Sequence, residues 1–291
     1  MIEITTPFEM RAWSRAARAR GRRVGFVPTM GYLHEGHLRL VDRARERADR
    51  VVMSSFVNPL QFGADEDFVR YPRAPERDRD LARQRGVDCF FAPSESTLYP
   101  TGQPRVRVAA GAMGDVLEGA SRPGHFQGVL TVVAKLFHVV EPDIAVFGRK
   151  DLQQALLVRR MAAELDFGVE IDVVPTVREV DGLALSSRNT YLGHDERRAA
   201  VALSRALRTV EQAWRGGQAD AATLERLGMD ALRAPGVTPD YLALVNDDLQ
   251  PVARADARTA VVVAARIGAT RLIDNVVLGD GLGADMVVRV S

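Results

Sequence analysis

The chain has 291 residues, of which 46% are hydrophobic and 26% are charged, as in an ordinary soluble globular protein. Lys and Arg together number 39 and Asp and Glu 38, so we expect no basic surface for nucleic acid or an anionic membrane. No apolar stretch reaches the roughly 18 residues of a membrane span, and the first residues lack a secretory-signal pattern. We therefore expect a cytoplasmic protein of about two domains, with no nucleic-acid or membrane partner, and small anions stay open as ligands.

Short β-branched runs alternate with amphipathic helical patterns over about the first 175 residues. The pattern predicts, in chain order, a strand at Arg23–Val27, a helix at Leu38–Arg47, a strand at Val51–Val57, a helix at Glu76–Arg85 and a strand at Val87–Ala92. It continues with a helix at Gly128–Val140, a strand at Ile144–Phe147, a helix at Leu152–Leu165 and a strand at Val169–Val174. Such alternation indicates an α/β fold in which a doubly wound parallel sheet carries helices on both faces.

The pattern changes after about Pro175. The segment VREVDGLALSS has an Asp-Gly pair between two apolar stretches, which is typical of a β-hairpin. Two helices are then predicted, at Asp195–Trp214 and Ala221–Leu232, followed by the strand-like segments YLALV, TAVVVAARI and TRLIDNVVL. We therefore predict a smaller α+β domain after a boundary near residues 175–185.

In open parallel sheets, ligands bind beyond the carboxyl ends of the strands, and the first such end reads PTMGYLHEGH (28–37). The spacing of His34 and His37 places both rings on one face of a first helical turn. Backbone N–H groups and the helix dipole favour an anion there, and imidazole N–H groups would add donors. The stretch therefore predicts a phosphate site.

Two alternatives remain for the histidine pair. The rings can be ordinary surface or core residues, or they can bind a metal ion. The metal alternative is weaker, because zinc helices of the HExxH type separate their histidines by four residues. Structural zinc sites also usually use cysteine, and Cys89 is the only cysteine in the chain.

Polar residues also follow two other apolar segments. In NPLQF (58–62), Asn58 and Gln61 carry neutral amides that suit a hydroxyl or a carboxylate, although they can equally be a loop cap and a surface amide. In LSSRN (185–189), serine hydroxyls and the Arg188 guanidinium can hold an oxyanion, or can simply form a capped turn.

The segment FGRKDLQQ (147–154) follows the predicted strand Ile144–Phe147. Gly148 allows a close backbone approach to a ligand, Lys150 offers a positive charge to phosphate, and Asp151 can accept from ribose hydroxyls. Gln154 lies one helical turn beyond Lys150 and can face the same space. Alone, the segment can also be a helix start with an acidic cap.

Together these motifs resemble the pantothenate synthetase (pantoate–β-alanine ligase) family, within the HxGH superfamily of nucleotidylyltransferases. The matching segments, in family order, are PTMGYLHEGH, NPLQF, RPGHFQGVLTVVAKLF, FGRKDLQQ and LSSRN. HxGH alone would indicate only nucleotidyl transfer, whereas the combination is specific. The chain departs from the family at Arg149, where glutamate is usual, and at Leu152, where an aromatic residue is usual.

The resemblance implies a two-step ligation in a Rossmann-like catalytic domain at 1–176, with a smaller α+β domain at 177–291 closing over the site. Pantoate attacks the α-phosphorus of ATP to give pantoyl adenylate and pyrophosphate. The β-alanine amine then displaces AMP and forms pantothenate. Mg²⁺ held mainly by the ATP phosphates, without assured protein ligands, and a homodimer are further implications of the resemblance.

The resemblance also assigns roles by position. ATP would be bound by Met30, His34, His37, Gly148, Lys150, Asp151, Val177, Ser186, Ser187 and Arg188. Pantoate and β-alanine would be bound by Gln61, Gln154 and Asn58. The catalytic set would be His37, His34, Lys150 and Arg188.

Two other functions stay open at this point. One is an HxGH nucleotidylyltransferase that joins a nucleotide to a phosphorylated acceptor, although the amides of NPLQF and KDLQQ suit such an acceptor less well than cations would. The other is a non-catalytic ATP-binding or metal-binding module.

Overall fold

The structure is a computed structural model that describes residues 1–64 and 66–288. The chain divides into two compact units. The first comprises Met1–Gly148 and Gln153–Val174, and the second comprises Arg149–Leu152 and the residues from Pro175 onward. The predicted second domain extends to residue 291, so its last three residues lie outside the described part of the chain.

The first unit contains a six-stranded parallel sheet in the order β1-β4-β3-β2-β5-β6. Its strands are β1 (Ile2–Ile4), β2 (Val24–Thr29), β3 (Arg50–Ser55), β4 (Cys89–Phe91), β5 (Ile144–Gly148) and β6 (Glu170–Val174). The winding direction reverses between β2 and β5, so this sheet has the switch point at which doubly wound folds bind ligands. The chain leaves β2 for the histidine segment and leaves β5 at Gly148, so both segments start at the switch point.

Helices cover both faces of this sheet. They are α1 (Pro7–Arg18), α2 (Glu35–Arg47), α3 (Pro75–Gln84), α4 (Glu95–Leu98), α5 (Glu118–Ser121), α6 (His125–Val140) and α7 (Leu152–Glu164). Successive strand residues point to opposite faces, so Phe26 joins the apolar cluster that includes residues of α1, α6 and α7. Its neighbour Val27 joins the cluster that includes residues of α2 and α3. The predicted Rossmann-like α/β fold is confirmed.

The second unit is a smaller α+β structure, as predicted. Its helices are α8 (His194–Ala200), α9 (Ala202–Arg215) and α10 (Ala221–Leu232). An antiparallel sheet in the order β10-β9-β8 contains β8 (Val237–Val245), β9 (Ala260–Ile267) and β10 (Thr270–Val277). A parallel pair is formed by β7 (Val177–Glu179) and β11 (Met286–Val288). The apolar faces of the helices and of the antiparallel sheet form one core cluster.

Two local predictions for this unit have different outcomes. The hairpin is present, since the Glu179 N–H donates to the Leu183 carbonyl at 2.8 Å and Gly182 has φ +96°. The single helix predicted over Asp195–Trp214 is instead two helices, α8 and α9, which meet at Val201. Among the residues that the structure describes, every helix is too short or too polar to span a bilayer.

Candidate active site

The two predicted histidines lie together where α2 begins. His34 is the N-cap residue of α2, and its ring centroid is 4.0 Å from that of His37. The backbone N–H of His34 donates to Nδ1 of His37 at 3.3 Å. Because Nδ1 accepts this bond, the neutral His37 ring carries its proton on Nε2. His37 can therefore present an N–H donor to an anion at the start of the helix.

The NPLQF segment forms a turn whose polar groups are fixed by Asn58, which is only 1% exposed. Its Oδ1 accepts from the Leu60 N–H at 3.3 Å and from the Tyr99 hydroxyl at 2.9 Å. Its Nδ2 donates to Gln61 Oε1 at 3.1 Å and to the Gly128 carbonyl at 3.2 Å. These four bonds use the full capacity of the amide, so Asn58 orients Gln61 and has no hydrogen-bonding position left for a substrate.

The orientation of Gln61 follows from that network. Because its Oε1 accepts from Asn58, its NH₂ group points the other way and donates to the Met30 sulfur at 3.1 Å. A thioether sulfur is a weak acceptor, so a substrate oxygen would be a better partner for this donor. Gln61 can therefore give a hydrogen bond to a carboxylate or hydroxyl, next to Met30 at the end of β2.

The segment RPGH, which carried no individual role in the sequence prediction, supports the same turn. The Gln61 carbonyl lies 2.8 Å from Nδ1 of His125 and accepts from the Arg122 guanidinium at 3.3 Å. A carbonyl only accepts, so His125 carries a proton on Nδ1 and its Nε2, 3.1 Å from Arg122, accepts. Burial and the Arg122 charge lower the pKa of His125 to about 4, which keeps the ring neutral.

Arg122 is itself held by an ion pair. Its guanidinium binds both carboxylate oxygens of Glu66, at 2.7 and 2.6 Å. Burial raises the pKa of Glu66, but the Arg122 hydrogen bond and charge outweigh it and leave this pKa below its ordinary value. A cavity of about 220 Å³ opens beside these residues. Its lining includes Gln61, Phe62, Glu66, Gln103, Arg107 and His125.

Helix α6 approaches the NPLQF turn so closely that only glycine fits at position 128. A Cβ atom there would lie 2.1 Å from the Leu60 carbonyl oxygen and 2.7 Å from the Gln61 nitrogen. Gly148, at the end of β5, is different: an added Cβ would come no closer than 4.0 Å to another side chain, that of Leu40. Space next to the Gly148 backbone is thus left for a ligand.

The two glutamines of KDLQQ have different surroundings. Gln153 is 6% exposed and its amide bonds to the backbone of Glu118, Met113 and Val116, at 3.1, 2.9 and 2.9 Å. Gln154 is half-buried. The first glutamine is therefore a structural residue, which leaves Gln154 as the candidate for a substrate contact.

Lys150 lies in a short turn of the second unit, Arg149–Asp151. The side-chain amide of Asn275, on β10, donates to the carbonyls of Arg149 and Lys150, both at 2.9 Å. Nζ of Lys150 lies 3.5 Å from a carboxylate oxygen of Asp151. The two bonds from Asn275 therefore attach the backbone of the turn to the antiparallel sheet.

An ion cluster, defined here as Arg149, Arg178, Asp274, Asp280 and Asp285, lies beside this turn. Arg149 pairs with Asp280 and lies 3.8 Å from Asp285. Arg178, 3% exposed, pairs at 2.6 Å with both Asp274 and Asp285. Burial opposes the charge on Arg178, but the two adjacent carboxylates hold its pKa above the ordinary value. The unusual Arg149 is therefore compensated locally by acidic residues.

The LSSRN segment forms a turn, Ser187–Tyr191, that is capped by Ser186. The Ser186 hydroxyl oxygen accepts from the Arg188 N–H at 3.3 Å, and a hydroxyl that accepts can still donate. The Leu185 N–H donates to the Val177 carbonyl at 2.9 Å. Val177 is 5% exposed in β7, so the LSSRN segment pairs with that strand through the backbone of Leu185.

Comparison with known proteins decides the assignment of the chain. A family model described as pantoate-beta-alanine ligase matches residues 3–277. The chain belongs to the pantoate–β-alanine ligase family. A pantothenate synthetase of Pelotomaculum thermopropionicum is 51% identical over 281 residues, covering 96% of this chain and 99% of that relative.

Solved structures of the family agree with this membership. The crystal structure of pantothenate synthetase from Thermus thermophilus matches with a TM-score of 0.89 and 50% identity, covering 96% of this chain and 99% of that one. The structure of pantoate-beta-alanine ligase from Francisella tularensis, complexed with beta-gamma ATP and beta-alanine, matches with a TM-score of 0.79 and 32% identity, covering 97% and 99%. The resemblance seen in the motifs is confirmed.

Some supporting residues of the ligase family fold were not recognised from the sequence. Tyr99, Arg122 and His125 hold the Asn58–Gln61 turn through bonds between distant parts of the chain. The RPGH segment was a usable signal, since it carries Arg122 and His125 within a motif of the family. No pattern around Tyr99 distinguishes it from other core aromatic residues.

Proposed function

We infer that this chain catalyses the ATP-dependent condensation of pantoate with β-alanine to pantothenate, through pantoyl adenylate. The main evidence is the match of the ligase family model to residues 3–277. Relatives with about 50% sequence identity over nearly the whole chain support it. The enzyme is therefore an amide-forming ligase with ATP as a substrate. A nucleotidylyltransferase with a phosphorylated acceptor is not favoured, because these relatives are ligases.

The main obstacle in the first step is electrostatic, because the pantoate carboxylate has to approach an anionic triphosphate. In phosphoryl-type transfer the protein contributes mainly positioning and charge stabilisation. We propose that His34 and His37 donate to the phosphates from the start of α2, with the Nε2–H of His37 directed to the departing pyrophosphate. The geometry that supports this role is the Nδ1 bond to His34, which leaves the donor on Nε2.

Pantoate would be bound by the amides of the first unit. The NH₂ of Gln61, which donates to the Met30 sulfur, is the donor proposed for the pantoate oxygens, and Met30 would border the ATP site. Gln154 would give a second contact. Asn58 was predicted to contact substrate, but its four internal bonds support a different role, in which it orients Gln61.

Residues that follow β5 and residues of the second unit are the other proposed ATP contacts, each named for its own chemistry. Gly148 would allow the ribose to approach the backbone, and Asp151 would accept from its hydroxyls. Lys150 and Arg188 would contribute positive charge to the phosphates, with donors from Ser186 and Ser187, and Val177 would contact the adenine. The fixed backbone of the Lys150 turn and the capped Ser186 turn support preorganised roles.

Mg²⁺ is proposed as a companion of ATP. Within residues 1–64 and 66–288, no group of three or more His, Cys, Asp or Glu could hold a metal ion. Mg²⁺ commonly keeps several waters and binds through substrate phosphates, so we propose that the ion enters with ATP. When bound, it would neutralise phosphate charge. A homodimer and a cytoplasmic location also remain proposals.

The second step needs mainly positioning and exclusion of water, because the adenylate is a reactive mixed anhydride. The cavity of about 220 Å³ beside Gln61 is the candidate entry site for β-alanine. Arg107 lines this cavity and could balance the β-alanine carboxylate.

The test supplies ATP, Mg²⁺ and pantoate to the purified protein and follows pyrophosphate and AMP separately. A ligase releases pyrophosphate in an amount stoichiometric with enzyme, and releases AMP only once β-alanine is added. Omission of pantoate is the control and should abolish both signals. Retention of the nucleotide on the product, with no free AMP, would instead support the nucleotidylyltransferase.

A further inference from the structure

The loop between β2 and the histidines has an unusual backbone. Gly31 has φ +79° and the next residue, Tyr32, has φ +51°. A left-handed conformation is readily adopted by glycine but is uncommon for a bulky residue, and it persists only where surrounding contacts hold it. The contacts that hold Tyr32 therefore also determine how the chain enters the His34 turn.

Those contacts come from one buried carboxylate. Asp78, in the first turn of α3, is 1% exposed. Its Oδ2 accepts from the Tyr32 N–H and its Oδ1 from the Leu33 N–H, both at 2.7 Å. Hydrogen bonds to an ionised acceptor are short and strong, so these two successive N–H groups are fixed in direction.

The neighbouring residues of the loop are held against the same carboxylate. A Cβ atom on Gly31 would lie 2.9 Å from Asp78 Oδ2 and 2.7 Å from the Ser55 hydroxyl, so the glycine backbone packs directly on both. Arg77 donates to the Leu33 carbonyl at 2.8 Å and lies over the Tyr32 ring, 5.7 Å from its centre. The start of α3 therefore binds both the N–H and the carbonyl of Leu33.

Leu33 directly precedes His34, whose own N–H donates to His37 Nδ1. A continuous path of bonds thus runs from the Asp78 carboxylate through the Leu33 peptide to the imidazole. If the carboxylate is lost, Tyr32 can leave its left-handed conformation and rotate the peptide that carries the His34 N–H. The bond that sets the Nε2–H form of His37 would then weaken.

We propose that Asp78 is a positioning residue of the reaction, which sets the orientation of His34 and His37 toward the ATP phosphates. This rests on the proposed function, in which those histidines bind phosphate. The direction of the change in ATP affinity distinguishes this role from a purely electrostatic one. Removal of a negative charge near a triphosphate site should tighten ATP binding, whereas loss of positioning should weaken it.

The informative substitution is Asp78→Asn, which keeps size and one acceptor oxygen but turns an NH₂ group toward one of the two N–H donors. Asp80→Asn is the matched control, because Asp80 lies on the same helix, is 64% exposed and pairs with Arg83 one helical turn away. Arg77→Met is a second variant that removes the other anchor of Leu33 without touching the carboxylate.

We expect Asp78→Asn to slow pyrophosphate release about 10- to 100-fold and to raise the ATP KM, since a misplacement of about 1 Å can cost about 100-fold. The pantoate KM should change less than about twofold. Arg77→Met should show the same pattern with a smaller effect, and Asp80→Asn should match the wild type. In ¹⁵N NMR without substrate, the Nδ1 acceptor signal of His37 should shift clearly in Asp78→Asn, less in Arg77→Met and not at all in Asp80→Asn.

Three results would overturn the proposal: tighter ATP binding in Asp78→Asn, equal increases in the KM of all three substrates, or a lowered Tm with unchanged ATP kinetics and His37 spectrum. If Asp78→Asn does not fold, Arg77→Met carries the same kinetic and NMR test. The NMR measurement needs no substrate, so it tests the positioning claim even if the histidines prove not to bind phosphate.

Discussion

The histidine turn of the first unit and the Lys150 turn of the second unit are held in opposite ways. A carboxylate from α3 accepts N–H groups of the histidine loop, whereas the Asn275 amide donates to the carbonyls of the Lys150 turn. The first arrangement adds one buried negative charge beside the loop backbone. The Lys150 turn instead lies beside the ion cluster, in which arginines and aspartates form ion pairs.

The difference shows how a scaffold can satisfy backbone groups without using the groups assigned to the ligand. In the histidine turn, Asp78 binds the N–H groups of Tyr32 and Leu33, while the donors proposed for phosphate come after them. In the Lys150 turn, the carbonyls face Asn275 and the ligand group is a side chain. Damage to the histidine turn should therefore appear mainly in kinetics, and damage to the ion cluster mainly in stability.

The largest effect is expected from Arg178→Met in the ion cluster. The substitution leaves Asp274 and Asp285 buried without their main partner, so the free energy of unfolding should fall by about 3–5 kcal/mol. Denaturant unfolding of the whole protein measures it. Arg197→Met removes the more exposed pairs with Glu179 and Asp181 and should cost only about 0–1 kcal/mol. Equal losses in the two variants would contradict the comparison.

His37→Ala tests whether damage to the histidine turn changes kinetics more than stability. Loss of one donor to the developing charge should slow pyrophosphate release about 10²–10³-fold, with little change in Tm. Single-turnover measurement with ATP and pantoate isolates this step. His194→Ala, an exposed residue of the second unit, is the control and should behave as wild type. A near-normal rate in His37→Ala would remove the proposed role.

The half-buried His125 predicts a pH effect within the first unit. Its folded pKa, about 4, lies below the ordinary value of 6.5, so between these values the unfolded chain binds a proton that the folded chain does not. This contribution to stability is complete above about pH 6.5 and is lost as pH falls toward about 4, at a cost of up to about 3 kcal/mol.

Urea unfolding of the wild type and His125→Asn, at neutral pH and near pH 4, checks this expectation. The wild type should lose up to about 3 kcal/mol more than the variant over that range. The same loss in both proteins would show that His125 is not the group responsible.

The smallest effect is expected from Gln61→Ala. Loss of a hydrogen bond to a charged group costs about 1.5–3 kcal/mol, so the pantoate KM should rise about 10- to 100-fold. The ATP KM should rise much less, and Gln212→Ala, at an exposed position, should change neither. Equal increases for pantoate and ATP would argue against the assignment of Gln61 to pantoate.

The sheet and helix order could be predicted where periodicity was strong, but the first residues of the chain were missed. β1 has only three residues, and it is a strand because it pairs with β4. For α1 a local signal existed, since the Thr6 hydroxyl accepts from the Glu9 N–H and Pro7 occupies the first helical position. The predicted boundary after residue 176 stays a prediction, and Arg149–Leu152 belongs to the second compact unit.

The α/β alternation, the family motifs and the candidates His34, His37, Gln61 and Lys150 could all be found from local sequence patterns. It could not distinguish Asp78 from Asp80, which stand two residues apart on one charged helix, although the first is buried and the second exposed. The two aspartates differ only in the folded chain, because the partners of Asp78 are 45 and 46 residues away in the sequence. Local patterns encode periodicity and motif, whereas the partner of a buried polar group depends on which distant segments the fold brings into contact.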